Sequence, residues 1–323
     1  FAKVKLMVKR SREIMPHYLI LCPIIMAGLI LSPPSSGDDD FDREPVNQQK
    51  TSEVDEDRIQ RGNILFQEDV VYGRVHGAGL LADIAYPDYG PELNKPLPVI
   101  LSVHGGRWQG GHKKDNSSID VKEWATHGFF AMSIDYRLVG SSPAPACYQD
   151  LQCAIRFLHA HAKQYNIDAN RIFLIGQSAG GHMVSLAATM GDGPFPRTGG
   201  WKNASNKVVA AISVAANYDL PSLSWGKIWR PAKGDPQKAL QLASPVNHVH
   251  KEMVPILIIH SDDDQSVPIA NALLMVDALN ECDAPHRFIR YTDAGHMGIT
   301  DAIVTSALEF IKSSADQQDA QSK

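Results

Sequence analysis

The chain has 323 residues, of which 44% are hydrophobic and 21% are charged, and its formal net charge is −5. This length and composition suit one large globular domain or two small ones with a sizeable buried core. Because the modest charge is spread along the chain, no basic face is expected that would match a phosphate backbone. A nucleic-acid partner is therefore not predicted.

The first 36 residues differ in character from the rest. Basic residues at 3–12 precede an apolar run at 18–31, and a segment rich in Pro, Ser and Gly follows at 32–37. The apolar run is shorter than the roughly 20 residues of a membrane-spanning helix. This order predicts a signal peptide and a secreted or periplasmic protein. One alternative is that the segment stays uncleaved as a membrane anchor, which is the one predicted route to membrane contact. Another is that the true start is Met7.

Residues 37–62 are acidic and polar and are predicted to form a disordered linker. From residue 70 onward, apolar strand-like runs alternate with helix-like segments, which indicates a mostly parallel sheet with helices on both faces. Eight strands are predicted, at 70–75, 80–86, 98–103, 129–135, 171–175, 208–214, 255–260 and 287–291. Helices are predicted at 118–127, 146–165, 179–190, 269–280 and 299–313. The folded domain is predicted to occupy residues 63–315, with a polar tail at 316–323.

Residues 218–253 interrupt this alternation with two tryptophans and several prolines. The segment falls between the sixth and seventh predicted strands. It is either a small lid insertion or a plain long connection.

The strongest local motif is Gly176-Gln-Ser-Ala-Gly180, which follows a predicted strand and opens a predicted helix. The glycines of such a motif allow a tight, strained turn that exposes the serine hydroxyl above the sheet. This context predicts that Ser178 is a nucleophile.

Two further loops carry residues suited to the same chemistry. The strand at 98–103 ends in His104-Gly-Gly-Arg-Trp108, where a glycine pair brings backbone N–H groups close to a developing oxyanion. The strand at 255–260 is followed by Asp262, Asp263 and Asp264, so spacing alone does not select one carboxylate. His296 follows the last strand, and the order Ser, Asp, His is that of an α/β-hydrolase triad.

These motifs in combination resemble those of an esterase branch of the α/β-hydrolases, which contains hormone-sensitive-lipase-like and feruloyl or acetylxylan esterase-like (BD-FAE-type) enzymes. The resemblance rests on the His-Gly-Gly loop with its Trp, the nucleophile motif, Asp135-Tyr-Arg-Leu138 and Ala243-Ser-Pro245, and it covers about residues 65 to 312. It implies an α/β-hydrolase fold with an eight-stranded, mostly parallel sheet.

The resemblance also implies roles for single residues. Ser178 is expected to be the nucleophile, His296 the general base, and Asp264 the acid, because Asp264 lies four residues before the proline of the Val-Pro pair. The implied oxyanion donors are the N–H groups of Gly106, Arg107 and Ala179, and His104, Trp108 and Gln177 are predicted to border the substrate pocket. Arg107 replaces the third glycine of the lipase-type loop, and it is expected either to form a loop-stabilising ion pair or to give the acyl pocket a charged rim.

The predicted function is hydrolysis of carboxylic esters through an acyl-enzyme, with short acyl groups preferred and without a cofactor or metal. The predicted partner is a small-molecule or saccharide ester, such as a fragment of acetylated or feruloylated polysaccharide. An exopeptidase of the prolyl-oligopeptidase type is one alternative, although that type normally carries an extra propeller domain. A noncatalytic binding protein of the same fold is the other, although it would normally lack a triad member.

Overall fold

The computed structural model describes residues 63–88 and 95–321, with side chains described to residue 315. The predicted signal or anchor segment (1–36) and the predicted linker (37–62) lie outside these residues. Within the described part of the chain, no helix has both the length and the apolar character that a membrane span needs.

The described residues contain one eight-stranded sheet, with strand order β1-β2-β4-β3-β5-β6-β7-β8. Its strands are β1 (Asn63–Val75), β2 (Ala78–Asp88), β3 (Leu97–Val103), β4 (Phe130–Ile134), β5 (Ile167–Gln177), β6 (Ala210–Val214), β7 (Ile256–Ser261) and β8 (His286–Tyr291). The pairs β1–β2 and β2–β4 are antiparallel, and the pairs from β4 through β3 to β8 are parallel. This is the predicted arrangement of eight strands, antiparallel first and parallel later.

The first hairpin turns through two residues only. Val75 pairs with Ala78, and His76 and Gly77 between them have φ angles of 50° and 82°. Positive φ at both central residues is the geometry that matches the twist of a two-residue hairpin, and glycine adopts it without steric cost.

Helices cover both faces of the sheet, as predicted. They are α1 (Val121–Thr126), α2 (Ala146–Ala160), α3 (Ala179–Met190), α4 (Pro236–Leu242), α5 (Ala270–Glu281) and α6 (Asp301–Gln321). Met183 of α3 packs in the same core as Leu101, whereas Phe310 of α6 packs in a second core with Ile100. Successive residues of β3 thus point to opposite faces, and both faces are buried because crossover helices cover them.

Several boundaries differ from the prediction. β1 begins at Asn63 rather than at residue 70, because its largely exposed first half is held by pairing to β2 rather than by burial. α2 ends at Ala160 rather than at 165, and the chain then turns, with a φ of 48° at Asn166, into an earlier β5. The backbone of α6 stays helical to Gln321, through most of the predicted polar tail, since that stretch holds neither glycine nor proline.

The segment 218–253 is not a featureless connection. It contains α4 and the short 3₁₀ helices Leu220–Ser222, Gly226–Ile228 and Pro245–His248. α4 was missed because it is short and its sequence has no long apolar periodicity; Asp235 caps it by accepting a hydrogen bond from the backbone N–H of Gln237 at 2.9 Å.

Three cysteines lie in the described residues, and all three are free thiols. Cys147 and Cys153 are both on α2 and both buried, and burial raises the pKa of each thiol, that of Cys153 to about 12. Cys282 is partly exposed just after α5. Structural packing was the predicted role of these residues, and the burial of the two on α2 fits that role.

The contact between α3 and the sheet depends on glycine. A Cβ atom added to Gly180 would overlap the carbonyl oxygen of Val103, and one added to Gly176 would overlap the backbone of Gly180. The first turn of α3 therefore packs on the ends of β3 and β5 at backbone distance.

We predict that Gly180→Ala lowers the free energy of unfolding by about 1 to 3 kcal/mol, because a methyl group has no room between the two backbones. Gly140→Ala is the matched control, since a Cβ there meets no atom within 4 Å. Thermal or denaturant unfolding of both variants measures the difference. Equal stability of the two variants would contradict the backbone contact.

Candidate active site

Ser178 sits at the turn between β5 and α3. Its φ is 52° and its ψ is −115°, a conformation that is strained for a residue with a side chain. The Ser178 N–H donates to Val214 O at 2.8 Å, which fixes the turn against the neighbouring strand β6. The turn thus holds the serine at the carboxyl edge of the sheet, as the sequence motif predicts.

His296 and Asp264 meet at the same edge. His296 Nδ1 lies 2.8 Å from Asp264 Oδ2, and the carboxylate is buried while the imidazole is partly exposed. The other carboxylate oxygen, Oδ1, accepts hydrogen bonds from the N–H groups of Ser266 and Val267 at 2.8 and 2.9 Å. Burial raises the pKa of Asp264, but hydrogen bonds from His296 and the backbone outweigh it, so the pKa lies below its usual value. An ionised Asp264 holds the proton on Nδ1 and leaves Nε2 as an acceptor.

The two neighbouring aspartates have other partners. Asp262 pairs with Arg290 on β8. Asp263 accepts from Ser261 Oγ at 2.6 Å and from the N–H of Gly295 at 2.8 Å. The geometry therefore separates three carboxylates that sequence spacing alone could not separate, and it brings Asp264 to His296.

His260 lies beneath the acid and was not singled out from the sequence. It lies near the end of the buried strand β7. Its Nε2 is 2.8 Å from Val267 O and 3.5 Å from Asp264 Oδ2. Burial lowers the pKa of His260, so the ring is neutral near pH 7 and donates to the backbone. Its position one residue before Ser261, at the end of β7, was the available signal.

Gln177 contacts the free side of the imidazole. Its Nε2 lies 3.2 Å from His296 Nε2 and 3.0 Å from Met297 O. Among the described residues, no hydrogen bond joins Ser178 Oγ to His296. Transfer of the serine proton therefore requires the imidazole to exchange this amide for the hydroxyl, and such contacts often tighten only when substrate binds.

The loop after β3 adopts a sequence of left-handed residues. Gly106, Arg107 and Trp108 have φ angles of 102°, 52° and 58°. The N–H groups of Gln109 and Gly110 donate to Gly106 O at 3.0 and 3.1 Å and close the turn. In the part of the chain that is described, the N–H groups of Gly106, Arg107 and Ala179 have no internal acceptor. They are thus available to an oxyanion, as the resemblance implies.

His104 braces this loop from below. Its ring is buried and stacks on Tyr136 at a centroid distance of 4.1 Å, and its Nδ1 lies 2.7 Å from Gly105 O. Tyr136 Oη donates to the same stretch of backbone. His104 was predicted to border the substrate pocket, and that role stays a prediction; the buried ring contacts the loop backbone.

Trp108 is also buried, and it belongs to an aromatic cluster that we define as Trp108, His182, Trp225 and Trp229. The ring centroid of Trp108 lies 5.0 Å from that of His182, 5.7 Å from Trp225 and 5.3 Å from Trp229. Burial lowers the pKa of His182 to about 4, and its Nε2 lies 2.6 Å from Ala243 O. Trp108 is therefore enclosed by the rings of this cluster, and its predicted place at the border of the substrate pocket stays a prediction.

The aromatic cluster connects the segment 218–253 to both catalytic loops. Trp225 Nε1 donates to Ser266 O at 3.1 Å, two residues after Asp264. The guanidinium of Arg107, from the loop after β3, lies over the ring of Trp225, 5.3 Å from its centroid. The sequence did not identify His182, Trp225 and Trp229 as parts of the site. Two signals were available: His182 lies one helical turn after Ser178, and the segment 218–253 contains two tryptophans.

The sheet order, the serine turn and the order of the loops define an α/β-hydrolase. The BD-FAE family model matches residues 83–279, and the chain belongs to this family. The predicted fold and family are confirmed.

Several of the curated relatives carry esterase names. Esterase LipQ and esterase LipC, both of Mycobacterium tuberculosis, are 28% and 26% identical over 67% and 62% of this chain. Each match covers 53% of the relative, so the chain spans about half the length of the curated relatives it matches.

Solved structures show the same fold. A structure described as a truncated carbohydrate esterase from gut microbiota has a TM-score of 0.69 and 24% identity, over 78% of this chain and 96% of that one. Esterase Est2 of Thermogutta terrifontis has a TM-score of 0.60 and 22% identity, over 80% and 91%.

We predict that Asp264→Asn lowers kcat by about ten-thousandfold, because the amide favours the wrong imidazole tautomer. Asp262→Asn is the matched control and is expected to cost little, since Asp262 contacts Arg290. Steady-state kinetics on a p-nitrophenyl ester measure both. If Asp263→Asn causes the large loss of kcat instead, Asp264 is not the acid.

Proposed function

We propose that this protein is a carboxylic ester hydrolase in which Ser178, His296 and Asp264 act as nucleophile, base and acid. The observation that carries the proposal is the 2.8 Å contact between His296 Nδ1 and the buried Asp264, at the sheet edge that holds the strained Ser178. The esterase names of the mycobacterial relatives support the same reaction. No metal or redox group enters this chemistry.

The proposed reaction has two halves. Ser178 Oγ attacks the ester carbonyl carbon while its proton passes to His296 Nε2, and the N–H groups of Gly106, Arg107 and Ala179 hold the resulting oxyanion. The intermediate collapses by breaking the bond to the alkoxy oxygen, which takes the proton from His296. Water then attacks the acyl-enzyme by the same route, releases the acid and restores Ser178. Asp264 stays ionised throughout and stabilises the imidazolium.

The proposed substrates are short-acyl esters, including acetylated or feruloylated saccharide fragments. The proteins named as a carbohydrate esterase and as an acetyl ester-xyloside bifunctional hydrolase share the fold with this chain, which makes a saccharide ester a reasonable first substrate. The signal-like N-terminal sequence supports export to a compartment where such polymers occur.

Ser178→Ala is expected to reduce ester turnover by about a millionfold while the protein stays folded. A fluorophosphonate should label the wild type once, on the peptide that contains Ser178, and should not label the variant. Ser313→Ala, an exposed serine on α6, is the control and is expected to keep both turnover and labelling. Retention of a tenth of the activity by Ser178→Ala would exclude Ser178 as the nucleophile.

Acyl chains from acetyl to butyryl are expected to give the highest kcat/KM. The aromatic cluster fills the space behind the oxyanion loop, and each methylene that stays unburied forgoes up to about 0.8 kcal/mol. A series of p-nitrophenyl esters from acetate to palmitate, at constant detergent concentration, measures the profile. A maximum at octanoate or beyond would rule out the short-acyl site.

A further inference from the structure

Arg107 places a positive charge in the loop that is proposed to bind the oxyanion. Its side chain is exposed, and its guanidinium lies over the face of Trp225. Among the described residues, no carboxylate lies within ion-pair distance of this guanidinium. Within the described part of the chain, the loop-stabilising ion pair that the sequence left open is therefore not formed, and the guanidinium has no counter-charge there.

The Arg107 side chain is held close to the reacting centre from two directions. Its backbone follows Gly106 directly, and both N–H groups are proposed oxyanion donors. Its guanidinium stacks on Trp225, whose Nε1 donates to Ser266 O in the loop that carries Asp264. The ring of Trp225 therefore bridges the oxyanion loop and the acid loop, and it fixes the cation between them.

The conformation of Arg107 is an unfavourable one for a residue with a side chain. Its φ is 52°, which a glycine would adopt without strain. Strained residues of this kind persist where the surroundings hold them, and they cluster at functional sites. Stacking on an indole also leaves the edge of a guanidinium free to donate two parallel hydrogen bonds, a geometry that matches a carboxylate.

We propose that Arg107 binds a carboxylate on the ester substrate, so that the enzyme prefers anionic esters to neutral ones of the same size. The proposal rests on the proposed ester hydrolase function and adds the chemical class of the substrate. The carboxylate belongs either to the acyl part, as in a half-ester of a dicarboxylic acid, or to the alcohol part, as in an acetylated uronic acid.

Two matched pairs of esters test this and separate the two sources. Monomethyl succinate and methyl butyrate differ by a carboxylate on the acyl side, and 2-O-acetyl methyl glucuronide and 2-O-acetyl methyl glucoside differ by one on the sugar. Rates of acid release at low salt give the ratio of kcat/KM, anionic over neutral, for each pair. The wild type is expected to favour the anionic ester in one pair by about tenfold, the scale of one charge-assisted hydrogen bond.

Variants of Arg107 identify the source of the preference. Arg107→Met is expected to remove the preference, and Arg107→Lys is expected to keep part of it, since a lysine supplies the charge without the planar fork. Lys227→Met removes an exposed cation two residues after Trp225 and is the matched control, with an unchanged ratio expected. If Arg107→Met fails to fold, Arg107→Gly removes the side chain and relieves the φ strain at once.

The outcomes distinguish this proposal from the function on which it rests. A preference lost in Arg107→Met but kept in Lys227→Met supports it, and the pair that shows the effect identifies the acyl or the sugar part. Equal ratios in the wild type and the Arg107 variants, with the neutral esters turned over, overturn this proposal alone. Failure of the wild type on all four esters overturns the proposed function and this proposal with it.

Discussion

The close approach of α3 to the sheet is the constraint on which the rest of the site depends. Gly176 and Gly180 let the backbone of the helix lie against the ends of β3 and β5 without an intervening side chain. This approach forces the left-handed turn at Ser178 and brings the first N–H of α3 beside the loop after β3. Ser178 and the N–H groups proposed to bind the oxyanion thus depend on the same backbone contact. A change in that contact would displace them together.

The acid loop uses three adjacent aspartates for three purposes. Asp262 ties the loop to β8, Asp263 holds the backbone just before His296, and Asp264 reaches the imidazole. These contacts fix the loop around the Asp264 carboxylate, and they hold His296 both at its ring and through the neighbouring backbone of Gly295.

The described contacts divide clearly into those that local sequence predicts and those that it does not. Strand runs and the nucleophile motif were predictable because apolar runs and glycine spacing are local signals, and the bounds of α3 agree with the prediction. The aromatic cluster, the contact of Gln177 with His296 and the buried His260 join residues that are far apart in the chain or hidden in a strand end. Such contacts have no local pattern, because the topology of the sheet alone brings the residues together.

The two thiols of α2 bear on the environment that the protein can tolerate. Burial raises the pKa of the Cys153 thiol to about 12, so the thiolate, which is the form that reacts with oxidants and disulfides, is scarce at pH 7. Cys147 is buried in the same way, and burial raises its pKa as well. Both thiols would therefore react slowly with oxidants and disulfides, and α2 would keep its packing in an oxidising medium as well as in a reducing one.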